Sequence, residues 1–225
     1  TNCFKTDPYG TGNSYIRDFY SSGKMNNTIV SSGSNGWNRE HLWCQSLSNG
    51  LWGESGGGAD LQHLRPTVAT INSDRGSKKY ATITGSKTES TYVDPDGKTM
   101  TGGYYTSTLF EPIDSKKGDV ARILMYTYMH YNKAANISGT KDGSTSSYFG
   151  TLNFTNVVSA TNEDAAKQLL LTWNESDAVD SIEITRNIEV KKSTTRMNNT
   201  MAKQRDPNAA EAPIPQETAL VFLKP

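Results

Sequence analysis

The sequence predicts an α+β protein, and three observations carry that prediction. Only 34% of the 225 residues are hydrophobic, with Ser, Thr, Asn and Gly abundant, which favours a loop-rich chain over a compact helical bundle. Short extended segments punctuated by glycine fill the first half, whereas the second half places apolar residues at helical spacing. No Pro-rich or Gly/Ser-rich linker and no fixed-period repeat divides the chain, so residues 1–225 read as a single domain, long enough to bury a sizeable core.

Taken in order, residues 14–20 and 37–43 read as strands, the second preceded by Gly33 and Gly36. A glycine-rich loop spans Ser48 to Gly58, and residues 59–64 form another extended segment. Pro66 suits the first turn of a helix that runs to about Arg75 and stops at Gly76 as its C-cap glycine. Asp94-Pro95-Asp96-Gly97 is a turn rather than a calcium loop, because the rest of the loop pattern is absent. Val120, Ile123, Leu124, Thr127, Tyr128 and Tyr131 make one apolar stripe of a helix starting just after Gly118-Asp119, with His130 off the stripe. Thr161-Asn162-Glu163-Asp164 resembles a capping box for a helix burying Ala166, Leu169, Leu170 and Trp173. A last helix begins near Asp177 and carries Val179, Ile182 and a Glu183/Arg186 pair.

The formal net charge is zero, which excludes a globally basic, histone-like binder. Basic residues are nonetheless bunched. Arg65, Arg75, Lys78 and Lys79 stand against Asp74 alone, and six basic residues between 186 and 205 stand against Glu189 alone. Such stripes on a neutral protein suit a salt-sensitive hold on a polyanion, or are simply solvated faces. The two cysteines, Cys3 and Cys44, fit one disulfide of an exported protein or two buried thiols. No apolar run is long enough to span a membrane, and Thr1 reads as the start of a mature or trimmed chain, compatible with export.

Chemistry concentrates in residues 38–79. Asn38-Arg39-Glu40-His41-Leu42-Trp43 sets a carboxylate beside a histidine, and Asp60-Leu61-Gln62-His63-Leu64-Arg65-Pro66 adds a second of the chain's three histidines. Asn72 and Arg75, three apart, share a helix face. A metal ligand, a base that titrates near neutrality and phosphate-side cations are the parts of metal-assisted phosphodiester chemistry. One objection stands: adjacent strand residues point to opposite faces, so Glu40 and His41 converge only if the strand ends or bulges there. A zinc peptidase is excluded, because no second histidine follows Glu40-His41 at helical spacing.

These motifs resemble, in order, those of the bacterial endonuclease I family of secreted or periplasmic non-specific nucleases. The resemblance continues through Phe110-Glu111-Pro112-Ile113-Asp114, Lys117-Gly118-Asp119-Val120-Ala121-Arg122 and Glu183-Ile184-Thr185-Arg186-Asn187, covering about residues 14–190. It implies a ββα-metal core at about 37–76 with additional helices, His41 as general base, and Glu40 and Asn72 as ligands of Mg²⁺ or another divalent cation. Arg65 and Arg75 would contact phosphate, and His63 would support the site. The resemblance further implies a secreted monomer, without membrane insertion, that cuts DNA and RNA to 5′-phosphate and 3′-hydroxyl ends. Three departures stand out: Cys44 in place of proline, which would suit a disulfide to Cys3; Gln62 in place of the first of two histidines; and no Gln-Gly-Asn-Arg-Asn-Pro-Phe signature near the C-terminus. The competing class is an inactive nucleic-acid-binding or surface protein on the same fold.

Overall fold

The computed structural model describes residues 3–10, 14–28, 36–49, 51–52, 56–132 and 150–205. In chain order they form α1 (Cys3–Thr6), β1 (Tyr15–Arg17), β2 (Lys24–Asn26), β3 (Trp37–His41), β4 (Leu64–Val68), α2 (Ala69–Arg75), β5 (Lys79–Tyr80), β6 (Thr88–Val93), β7 (Thr99–Tyr105), β8 (Leu109–Pro112), α3 (Asp114–Tyr131), α4 (Phe154–Val157), α5 (Glu163–Ser176) and α6 (Ser181–Arg205). Short 3-10 turns occupy Gln45–Leu47 and Gly56–Gly58. The class is α+β, as expected. Strands β1 and β2 pair antiparallel, as do β3 and β4, and a third sheet runs β5-β8-β7-β6 with β5 parallel to β8.

The β3–β4 ribbon is in register from Trp37 opposite Val68 to His41 opposite Leu64. The expected helix start is corrected here: Pro66 lies in the middle of β4 and α2 begins at Ala69. A two-stranded ribbon tolerates a proline because its outer edge needs no ladder donor. The Pro66 carbonyl is still used, accepting the Phe19 N–H at 3.1 Å. Helix α2 turns back against β3, β4, β6 and β7 and ends at Gly76, whose φ of +49° is the left-handed geometry expected of a C-terminal glycine. Ile16, Tyr20, Leu42, Trp43, Ile71, Tyr80, Phe110, Leu124 and Leu170 are all fully buried in one core that joins ribbon, sheet and helices. The 94–97 segment is indeed a turn, with Asp94 Oδ1 accepting the N–H groups of Asp96 and Lys98, both at 2.9 Å.

The late helices differ from expectation in one instructive way. Helix α3 starts at Asp114, before the apolar stripe begins, because its opening turns are held by charge. Lys116 and Arg122 both bond Asp119, and Arg122 bonds Glu183 of α6. The expected Glu183/Arg186 pair is therefore not formed; Arg186 instead bonds Asp7 at 2.8 Å and the Leu64 carbonyl at 3.0 Å. Gly118 lets this joint close, since a Cβ there would lie 2.1 Å from the Asp177 carbonyl oxygen. Helix α6 begins at Ser181 rather than near Asp177, with Asp180 Oδ1 capping the N–H groups of Ile182 and Glu183 at 2.8 Å each. At α5 the cap falls one residue later than a Thr161–Asp164 capping box would put it: Asn162 Oδ1 accepts the Ala165 N–H, and Glu163 reaches to Phe154 and Thr155 at the start of α4. Cys44 carries a free thiol 3.1 Å from Ser46 Oγ, so the disulfide suggested for it is not formed; the Cys3 side chain lies outside the described residues.

Burial pushes the Glu111 carboxyl up, but hydrogen bonds from Lys87 and Lys117 outweigh it and hold the group below the ordinary carboxylate range. A depressed folded-state pKa contributes stability above the unfolded value of about 4.3 that is lost as pH falls through the folded one. Urea denaturation at stepped pH should therefore show a shallower acid loss for Glu111→Gln than for wild type, and equal slopes would refute the assignment.

Candidate active site

Strand alternation divides the Glu40-His41 pair as its geometry demands. Asn38 and Glu40 face α2, whereas His41, the last residue of β3, points away from that face. Glu40 is 3% exposed and accepts a 2.7 Å hydrogen bond from Tyr20 Oη, which is in turn 2.8 Å from Tyr80 Oη. Arg75 Nε lies 3.4 Å from the same carboxylate oxygen. Burial nevertheless dominates and raises the Glu40 pKa to about 7, against the pull of Arg75 and the Tyr20 bond. Asn72, one turn before Arg75, donates to Asn38 Oδ1 at 2.6 Å and the Arg39 carbonyl at 3.3 Å, leaving its own Oδ1 without a partner among the described residues. Helix α2 thus brings an amide and a guanidinium to the strand face that holds the buried carboxylate.

The histidines gather around the 3-10 turn Gly56–Gly58. His41, half-buried, places Nε2 2.9 Å from the Gly58 carbonyl, so in the neutral ring Nε2 carries the proton and Nδ1 keeps its lone pair. Desolvation first, then Arg39 and Arg75, lower its pKa against the opposing bond to Gly58. His63 is fully buried, with burial pushing its pKa down to about 4, and its ring lies 5.5 Å from that of His41. Below it, Asp60 anchors the start of the segment by accepting Tyr126 and Tyr131 hydroxyls at 2.8 Å each.

The two arginines assigned to phosphate are both buried. Arg75 is 0% exposed and spends its Nη groups on the Gly76 and Leu42 carbonyls, both at 2.6 Å, under the Tyr80 ring. Arg65 is 5% exposed and stacked over Phe19, with Nε and Nη1 lacking any partner among the described residues; burial lowers its pKa to about 9. Neither guanidinium faces solvent, whereas Arg39, on the His41 side of β3, does. The sequence reading also missed Tyr20 and Tyr80, whose hydroxyls support Glu40. Tyr20 lies in the turn after β1 and Tyr80 in β5, and no spacing links either to the motif.

A family model described as endonuclease I matches residues 5–202. The chain belongs to the endonuclease I family. Among curated relatives, an extracellular ribonuclease of Bacillus amyloliquefaciens is 33% identical over 159 residues, 67% of this chain and 45% of that protein. An extracellular ribonuclease of Bacillus subtilis (strain 168) is 31% identical over 160 residues, with the same shares. This endonuclease I chain therefore spans less than half the length of the curated relatives it matches. The matched region contains every element that builds the site, from Tyr20 through the β3–β4 ribbon and α2 to Tyr80.

Tyr20→Phe should destabilise this endonuclease I fold by ~1–3 kcal/mol, because it strips a hydrogen bond from the buried Glu40 carboxylate and from the Tyr80 hydroxyl. Urea denaturation measures the loss; an unchanged midpoint would mean the hydroxyl chain carries no net energy.

Proposed function

We propose that this chain is a secreted, divalent-metal-dependent endonuclease that hydrolyses phosphodiester bonds of DNA and RNA, leaving 5′-phosphate and 3′-hydroxyl ends. The observation that carries the reading is the arrangement of His41 at the last residue of β3: Nε2 is committed to the Gly58 carbonyl and Nδ1 keeps its lone pair, while the buried Glu40 carboxylate lies on the other face of the strand. The family and the extracellular ribonucleases among the relatives support both the chemistry and the secreted setting. No helix among the described residues is long and apolar enough to cross a membrane.

In this reading His41 Nδ1 accepts a proton from the attacking water, the water oxygen bonds to phosphorus, and the bond from phosphorus to O3′ breaks with its electron pair on O3′, which takes up a proton. Glu40 and Asn72 offer one carboxylate and one amide oxygen on a single strand–helix face, a hard-oxygen donor set. Burial raises the Glu40 pKa against the pull of Arg75 and the Tyr20 bond, and a cation beside the carboxylate would favour its ionised form. This set fits Mg²⁺ or a similar cation that keeps most of its own waters, and when bound that ion would neutralise charge on the phosphate and the departing oxygen. Arg75 holds Glu40 in place from α2 rather than meeting substrate, and Arg39, two residues before His41 on the same strand, is a solvent-facing cation.

His41→Ala should lower plasmid cleavage by about 10²–10⁴-fold with substrate binding retained, and EDTA should abolish cleavage by the wild type. Wild-type turnover by the variant would remove His41 from the chemistry. Binding without cleavage by the wild-type protein in Mg²⁺ would favour the inactive-binder class.

Substrate range follows from the same contacts. Phosphate-side groups carry no sequence information, so single- and double-stranded DNA and RNA should all be cut, with binding that weakens as salt rises. A digest giving a few discrete, sequence-defined fragments, or a strict need for the 2′-hydroxyl, contradicts this expectation.

A further inference from the structure

The two site histidines are tied to consecutive carbonyls of one glycine turn. His63 accepts the Trp43 backbone N–H on Nε2 at 2.9 Å, and its Nδ1 lies 2.8 Å from the Gly57 carbonyl. A ring nitrogen that accepts cannot also carry the proton in the neutral imidazole, so Nδ1–H donates to Gly57. The next carbonyl, Gly58, accepts from His41 Nε2 at 2.9 Å. Trp52 closes the turn from the other side: its ring lies 5.4 Å from that of His63, and a Cβ on Gly57 would fall 2.2 Å from Trp52 Cζ3. The turn is thus wedged between a histidine that bonds it and an indole that allows it no side chain.

We propose that His63 is a positioning residue for the reaction: by holding the Gly57 carbonyl it fixes the adjoining Gly58 carbonyl, which selects the His41 tautomer with its Nδ1 lone pair free. This inference rests on His41 being the general base. His63 touches neither phosphate nor attacking water in this scheme, and its whole contribution passes through the Gly57–Gly58 peptide. Loss of a partner that orients a metal-site ligand typically costs about 10–100-fold, and a contact that orients the base is expected on the same scale.

Histidine ¹⁵N–¹H correlation spectra of the full chain, read together with plasmid cleavage, test this. Wild type should show His41 protonated on Nε2 and His63 on Nδ1. In His63→Asn the amide N–H replaces Nδ1–H toward Gly57, so the His41 tautomer and kcat should stay close to wild type. His63→Phe removes the bond, and Gly57→Ala pushes the turn off Trp52. Each should mix the His41 tautomers and lower kcat by about 10–100-fold with KM unchanged. Should His63→Phe fail to fold, Gly57→Ala, which leaves His63 in place, carries the same comparison. A wild-type His41 protonated on Nδ1, or variants that retain a pure Nε2–H His41 and full kcat, would overturn the proposal. Failure of the underlying reading looks different: the wild type would then bind plasmid without cutting it, or His41→Ala would cut it at the wild-type rate, whatever the tautomers.

Discussion

A single buried carboxylate holds this structure together at the place where its chemistry is expected. Glu40 comes from β3, Tyr20 from the segment after β1, Tyr80 from β5 and Arg75 from α2, so four separate stretches of chain meet at one charge. Removing a carboxylate from water costs several kcal/mol unless hydrogen bonds and opposite charge replace the lost hydration. Here burial still prevails and raises the Glu40 pKa, against the pull of Arg75 and the Tyr20 bond. A site so poised gains from any further positive charge brought beside it, which is the physical case for a divalent cation. The same need for compensation explains why Arg75 is buried: it is the partner that makes Glu40 tolerable, and its Nη donors are satisfied by carbonyls of Leu42 and Gly76.

Charge performs a second, architectural task between the helices. Lys116, Asp119, Arg122 and Glu183 form a buried chain of ion pairs between α3 and α6, and the Arg186–Asp7 pair reaches the N-terminal segment. Such networks are weak as sources of stability but strict about geometry, since a misplaced helix would leave a buried charge alone. Arg186 also bonds the Leu64 carbonyl, directly opposite His41 in the ribbon, and so links this scaffold to the reacting strand. The helices that the sequence suggests are scaffold therefore also fix the depth at which the β3–β4 ribbon sits.

Much of this is legible in the sequence, and what is not has identifiable physical causes. Apolar periodicity found α3 and α5 because their buried stripes are hydrocarbon, but it started α3 too late because the opening turns are buried through ion pairs, which such periodicity does not register. Pro66 misled for the opposite reason: proline marks both a helix start and an edge strand, and only the pairing of Arg39 with Pro66 distinguishes them. The Glu183/Arg186 spacing suggested a pair along one helix, yet each found a stronger partner from a distant segment.

By itself, the sequence determined the α+β class, the order of motifs that marks the endonuclease I family, the turn at Asp94–Gly97 and the gathering of Glu40, His41, His63, Asn72 and Arg75 into one short region. Those features depend on local propensity, spacing and residue identity, all of which are written along the chain. Tertiary structure alone decided which face each side chain took: Glu40 inward toward Tyr20 and Arg75, His41 outward to Gly58, and Arg65 buried over Phe19. It also decided which nitrogen of each histidine holds the proton, because that follows from the carbonyls of Gly57 and Gly58 and the Trp43 amide. Those partners are chosen by how strands and turns pack across 17 and 20 positions of sequence, a relation that no local pattern encodes.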